Sequence, residues 1–280
     1  MPDAPSSRWS NLERPALDGP ALAAALTREG SLWRSVEVVP EIGSTNAALI
    51  AAAADDAPEG TVLVAEHQVS GRGRLDRTWT SPPRAGITVS FLLRPDVPAA
   101  RKGWLPLLTG VALAESVAEV TGVLPSLKWP NDLLARDGLK LAGILAEAVA
   151  SPADRTAVVV GVGLNVSTAA GELPDTGTSL SRVLGATVDR APVLLAFLRA
   201  VERRYRRWSE VLGDPVSSGL AESYLGWSST VGSHVAATLP DGSTVEGVAQ
   251  AVDWDGRLLV ATPQGTVELA AGDVRHLRRG

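Results

Sequence analysis

Apolar residues recur along the chain with two periods. In PVLLAFLRAVERRYRRWSEVL they fall at alternating steps of four and three, at Leu194, Leu198, Val201, Tyr205, Trp208 and Leu212. That stripe predicts an amphipathic helix with Arg199, Arg203, Arg206 and Arg207 mostly on its solvated faces. WLPLLTGVALAESVAEVTG predicts a second amphipathic helix, closed by Gly122, and ALAAALTREG a short one ending at Gly30. The alanine-rich run NAALIAAAA follows Ser44 and Thr45, either of which can cap it and leave first-turn N–H groups free for a ligand. Strand-type runs lie between these helices: WRSVEVVPEI, TVLVAEHQ, GITVSFLLR and the continuous apolar TAVVVGVGLNV, which opens onto Gly161, Gly163 and Asn165. LPSLKWPNDLLA and LKLAGILAEAV read as two strands of a ribbon, joined at Arg136-Asp137-Gly138.

From Ser228 the texture changes to HVAATL, TVEGVAQAV, RLLVAT and TVELAA, separated by Pro240-Asp241-Gly242, Asp255-Gly256 and Gln264-Gly265. Short runs with glycine turns at this spacing predict a small antiparallel β-barrel. A domain boundary near Gly226 follows. Ahead of the first strand, residues 1–35 read as a loose extension carrying one short helix.

Composition narrows the function. With 280 residues, 45% of them hydrophobic, the chain can bury one sizeable core and still form a small second domain. Its net charge of -5 provides no overall positive field for nucleic acid or an anionic membrane, so any anion site must be local. There is no cysteine, and the three histidines (His67, His234, His276) are scattered. Disulfides, a thiolate nucleophile and a Cys- or His-based zinc site are disfavoured, and a reducing, cytoplasmic setting is expected. MPDAPSSRWSNLERPALDGP does not read as a signal peptide, and no 18 apolar residues run together, so neither export nor membrane spanning is expected.

Against that acidic background, SGRGRLDRTW (Ser70 to Trp79) stands out. Arginine forks match carboxylate and phosphate oxygens, and glycines let backbone N–H groups turn towards the same anion, although a solvated basic turn has the same composition. KWPND (Lys128 to Asp132) offers a carboxylate that suits Mg2+ beside a phosphate or, equally, an Asx turn shaped by Pro130. Lys140, on a mostly apolar strand, either snorkels or aims into a pocket. GVGLNV has Val166 where a dinucleotide fingerprint needs its third glycine, and no P-loop motif occurs.

Five motifs in order, GSTN (Gly43 to Asn46), EHQVSGRGRLDRTW (Glu66 to Trp79), KWPNDLL (Lys128 to Leu134), KLAGILAE (Lys140 to Glu147) and GVGLNV (Gly161 to Val166), resemble the biotin protein ligase family. The resemblance covers roughly residues 36 to 280. It implies an α+β fold, with a mixed β-sheet catalytic domain and flanking helices over 36–226 and a small C-terminal antiparallel β-barrel over 227–280. It further implies that biotin and ATP are substrates, used with Mg2+, and that biotinyl-adenylate is formed and then attacked by a lysine of a biotin carboxyl carrier domain. On this resemblance Ser44, Thr45, Asn46 and Gln68 border biotin, and Arg72, Gly73 and Arg74 belong to a loop folding over biotin and the adenylate. Lys140 contacts the biotin carboxylate and α-phosphate. Gly71, Trp79, Asn131, Asp132 and Asn165 serve the ATP side, with Asp132 the Mg2+ ligand.

Lys140, Arg72 and Arg74 are the catalytic candidates, because both steps develop negative charge on oxygens that pre-aimed cations stabilise. The family usually has glycine where this chain has Asp76, which removes a flexible residue and adds charge beside an anion site. The alternatives are a lipoate- or octanoyl-type ligase and a non-catalytic biotin sensor. A DNA-binding repressor is disfavoured by the acidic charge and by the roughly 35 residues ahead of the first strand, fewer than a winged helix-turn-helix needs. The expected assembly is a monomer or weak homodimer, with no nucleic-acid partner.

Overall fold

A computed structural model describes residues 14–74, 77–149, 157–239, 242–270 and 272–277. Asp76 lies outside the described residues. The main sheet contains β1 (Ser35–Val39), β2 (Thr61–Ala65), β3 (Gly86–Leu93), β4 (Ser126–Lys128), β5 (Asp132–Leu134), β6 (Lys140–Val149) and β7 (Ala157–Asn165), in the order β1-β2-β3-β7-β6-β5-β4. β1 and β2 run parallel and every other neighbouring pair antiparallel, so the sheet is mixed. A parallel pair needs a crossover, and α2 (Thr45–Ala54) supplies it.

The helices sort by face. α1 (Gly19–Leu26), α3 (Leu105–Thr121) and α5 (Arg190–Glu210) bury their apolar stripes with Val62, Val64, Val89, Phe91, Val160 and Val162 in one large core. On the opposite face α2 sets Leu49 and Ala53 against Leu63, Leu92 and Val159. Strand alternation fixes which side chains come next along that second face. Beyond the start of α2 the positions become Thr88 and Ser90 on β3, Gly161 and Gly163 on β7, and Gly143 on β6, paired as Ser90↔Gly161, Thr88↔Gly163 and Gly143↔Gly163. Polar and side-chain-less positions replace apolar ones, and the face opens.

Two shorter helices, α4 (Leu180–Leu184) and α6 (Leu220–Trp227), have no counterpart in the periodicity. Gly122 closes α3 in the left-handed conformation, as its position after the apolar stripe predicts. The α5 stripe is buried from Leu194 to Trp208, and its four arginines named above are exposed. Leu212 departs from the expectation: α5 stops at Glu210, Leu212 has φ +54°, and its side chain is exposed. The first ribbon run is two strands rather than one. KWPND forms the reversal between β4 and β5, where Pro130 brings no N–H to a ladder.

The C-terminal sheet holds β8 (His234–Thr238), β9 (Thr244–Val252), β10 (Leu258–Thr262), β11 (Gly265–Leu269) and β12 (Asp273–His276), all neighbours antiparallel, in the order β11-β10-β9-β8-β12. The expected barrel is therefore an open sheet among the described residues. Closure would require β11 and β12 to share a ladder, and the hydrogen-bonded order leaves them as its two ends. This sheet is joined to the first through tryptophans. The Trp129 backbone N–H donates to Thr230 Oγ1 (3.0 Å) and its indole to Gly256 O (3.1 Å), while the Trp104 indole donates to Asp253 O (3.1 Å).

Candidate active site

The open face forms a cavity of about 900 Å³ between the start of α2, the Arg/Gly loop, KWPND, β6, β7 and β12. Seven lysine and arginine side chains line it against three aspartates, a local positive balance in a chain of net charge -5.

One end is polar and neutral. Ser44 caps α2, its side chain accepting from the Ala47 N–H, and this orients the first turn towards the cavity. Gln68 Oε1 accepts from the Thr45 N–H at 2.7 Å and lies 3.0 Å from Thr45 Oγ1. Ser90 Oγ is 2.7 Å from Thr45 Oγ1 and 2.6 Å from Asn46 Oδ1. A Cβ on Gly161 would lie 2.1 Å from Asn46 Oδ1, so only glycine lets this amide rest on β7.

In the loop after β2, Arg72 is bridged to Thr78 and the Gly73 N–H donates to Arg77 O (2.7 Å). Each arginine meets a different element. Arg72 is 3.8 Å from Glu147 on β6, Arg74 donates to Asn131 Oδ1 at 3.1 Å, and Arg77 pairs with Asp273 on β12 at 2.5 Å. Trp79 ends the loop with its indole directly on Gly163, where a Cβ would stand 2.3 Å from Cε2. Lys140 Nζ sits 5.8 Å from the centre of the same ring, within cation–π range.

The cationic end centres on Asp132, held by Lys140 Nζ at 2.6 Å and faced by Lys128 Nζ at 3.7 Å. Asn131 donates to Ile144 O at 2.8 Å while accepting from Arg74, so its amide is fixed on both sides. Burial pulls the Arg74 guanidinium below its ordinary pKa, against the opposing pull of Asp132 and Asp273. Burial also pushes the Asp273 carboxyl up, but the hydrogen bond and charge of Arg77 outweigh it and hold Asp273 below the usual carboxylate value. The same hydrogen bond raises Arg77. On the far wall the His276 imidazole is pulled down by burial and then by Lys128.

Of the residues expected from sequence, Ser44, Thr45, Asn46, Gln68, Arg72, Gly73, Arg74, Trp79, Asn131, Asp132 and Lys140 all line this one cavity. Gly71 and Asn165 do not. Gly71 is buried beneath the loop against the Trp79 carbonyl and borders a smaller adjoining cavity, and buried Asn165 gives its amide N–H to Thr178 O (3.1 Å). Sequence reasoning missed Thr88 and Ser90, although two polar residues at alternate positions of an otherwise apolar strand were a usable signal. It also missed Arg77, Lys128, Asp273 and His276 as lining residues; for the last two no local signal exists, since β12 reaches the cavity only through the tertiary fold.

A neutral polar end with hydrogen-bonding groups, joined across a glycine floor to a partly exposed cationic end, has the chemistry to hold a small molecule and an anionic group side by side. Similarity to known proteins agrees. Residues 39–165 match the Biotin/lipoate A/B protein ligase family and residues 230–277 the Biotin protein ligase C terminal domain. The chain is 46% identical over 270 residues to the biotin–[acetyl-CoA-carboxylase] ligase of Mycobacterium tuberculosis, covering 95% of this chain and 97% of that one. It is 36% identical over 227 residues to the bifunctional ligase/repressor BirA of Bacillus subtilis, covering 79% and 67% of the two chains. The Aquifex aeolicus biotin protein ligase, solved in complex with biotin and ATP, superposes with a TM-score of 0.72 at 28% identity, over 86% of this chain and 98% of that one. The chain belongs to the biotin protein ligase family.

Proposed function

We infer that this protein activates biotin with ATP and transfers it to a lysine of a biotin carboxyl carrier domain. The observation that carries the reading is the cavity's division: the neutral end built by Thr45, Asn46, Gln68 and Ser90 suits the ureido ring, and the cationic end built by Lys140, Arg72, Arg74 and Lys128 suits a carboxylate beside phosphates. In the first step a biotin carboxylate oxygen bonds to the α-phosphorus as the α–β bridge breaks and pyrophosphate leaves. In the second an acceptor amine bonds to the acyl carbon, AMP departs with the C–O electron pair, and the amine's proton passes to solvent.

Two anions must approach each other in the first step, so positioning and charge stabilisation do the work. In this reading Lys140 would serve both the carboxylate and the α-phosphate, Arg72 and Arg74 would close over them, and Trp79 would take the adenine side. Among the described residues there is no group of three or more His, Cys, Asp or Glu suited to a metal. Asp132, the carboxylate at the phosphate end that pairs with Lys140 at 2.6 Å, would be the residue to hold Mg2+, which would offset phosphate charge when bound with ATP. Gly71 would support the loop from below and Asn165 the α4 side of the nucleotide end.

The same reading divides the chain into an N-terminal extension (1–35), a catalytic unit (36–226) and a C-terminal unit (227–280) that contributes β12 to the nucleotide end. Among the described residues no helix is long and apolar enough to cross a membrane. A cytoplasmic enzyme acting as a monomer or weak homodimer, without a nucleic-acid partner, fits the acidic, cysteine-free chain. Titration calorimetry with biotin, then with biotin, ATP and Mg2+ while pyrophosphate is followed, tests the reading. One equivalent of pyrophosphate per protein is expected; biotin binding without pyrophosphate would sink the ligase assignment.

A further inference from the structure

Glu147 closes the KLAGILAE run, yet no step above uses it. Alternation along β6 places it on the face shared with Gly143 and Leu145, one position beyond the cavity, where it borders the smaller cavity behind the loop. Its Oε2 accepts from Asn46 Nδ2 at 2.8 Å, and the second Asn46 N–H is directed at Leu145 O, 3.3 Å away. Its Oε1 is 3.8 Å from Arg72, a half-exposed side chain, so that contact is the weaker of the two.

A carboxylate only accepts, so Asn46 must turn its N–H groups to β6 and its Oδ1 the other way. Ser90 Oγ, 2.6 Å from that oxygen, has one proton and commits it there. Ser90 is then left to accept from Thr45 Oγ1, 2.7 Å away. With its proton so directed, Thr45 Oγ1 stands 3.0 Å from Gln68 Oε1, an oxygen whose orientation the Thr45 N–H fixes. Two oxygens with free lone pairs therefore sit together at the neutral end, and both residues line the cavity. A pair of acceptors this close is satisfied by a ligand N–H placed between them.

We propose that Glu147 is a positioning and specificity-determining residue, which sets the direction of the row Asn46, Ser90, Thr45 so that this end selects ligands presenting N–H donors. Resting on the proposed biotin-activating function, it favours a cyclic urea over an acyl chain ending in an apolar ring. Glu147 touches no ligand; it acts through Asn46.

The test is calorimetry with biotin alone on Glu147→Ala, Glu147→Gln and Asn46→Ala, with thermal unfolding as the fold check. Glu147→Ala should weaken biotin about tenfold or more, the usual consequence of leaving a buried polar partner unpaired. The KM for biotin should rise while that for ATP stays put. Glu147→Gln, whose Oε1 can still accept from Asn46, should restore most of the affinity, and Glu147→Ala should add nothing in an Asn46→Ala background. If Glu147→Ala does not fold, Glu147→Met against Glu147→Gln makes the comparison at nearly constant volume. Unchanged binding in the Ala or Met variant, failure of Gln to rescue, or a further loss in the Asn46→Ala background would each overturn the proposal. Wild-type protein that binds no biotin would instead overturn the functional reading beneath it.

Discussion

Gly163→Ala tests whether the indole of Trp79 is the surface on which the nucleotide rests. The added Cβ would lie 2.3 Å from Trp79 Cε2, 2.4 Å from Nε1 and 2.7 Å from Cζ2. Ordinary carbon contacts begin near 3.5 Å, so about 1 Å of movement is required. β7 cannot supply it: all nine of its residues are buried and it is paired on both sides, to β3 and β6. Trp79 is only partly buried, so the ring gives way and shifts relative to Lys140. Overpacking of this kind costs about 1–3 kcal/mol, which corresponds to a roughly 5- to 150-fold change in affinity if it falls on ring position. The thermal midpoint should change little, biotin affinity should hold, and biotinyl-adenylate should dissociate faster, with a raised KM for ATP. The assay is single-turnover formation of the adenylate followed by a dissociation chase. Wild-type retention in Gly163→Ala would refute the reasoning. So would a further loss when Gly163→Ala is added to Trp79→Ala, because the Cβ would then be meeting the ligand rather than the ring.

The same geometry has other consequences. Lys140→Ala should lower the rate of pyrophosphate release by two orders of magnitude or more, about 3 kcal/mol of lost charge stabilisation, with the circular dichroism spectrum unchanged; undiminished pyrophosphate release would remove Lys140 from the chemistry. Arg74→Ala loses the hydrogen bond to Asn131, so the intermediate should escape measurably faster in a chase, and equal retention would show that Arg74 does not help to hold the adenylate. Thr230→Val leaves the Trp129 N–H without its acceptor and should cost about 1–3 kcal/mol of stability, read as a lower thermal midpoint. The depressed pKa of His276 means that the unfolded chain takes up a proton first as pH falls. This part of the stability is present above the ordinary histidine value and declines as pH drops through it, so His276→Gln should flatten the stability slope between about pH 7 and 5.5; an unchanged slope would show that His276 does not set it.

Much of the frame was legible because local physics wrote it. The 3.6-residue period of α5, the stop at Gly122 and the unbroken apolar run of β7 each declare one element from adjacent residues. Even the site was half-written, since arginines interleaved with glycines in an acidic chain signal a local anion. What the order of residues could not state is which elements meet. Asp273 pairs with Arg77 across 196 positions, and His276 reaches Trp129 through Thr230, contacts that exist only because the C-terminal sheet docks on KWPND. The glycines of GVG look like a failed nucleotide fingerprint in the sequence; in the fold, Gly161 leaves room for an amide and Gly163 for an indole. Sequence determined the periods, the caps and the chemical inventory, because those depend on neighbours along the chain. Tertiary structure decided which strand face lost its side chains opposite which loop, because a cavity is made by steric vacancy between distant segments, and no single segment records it.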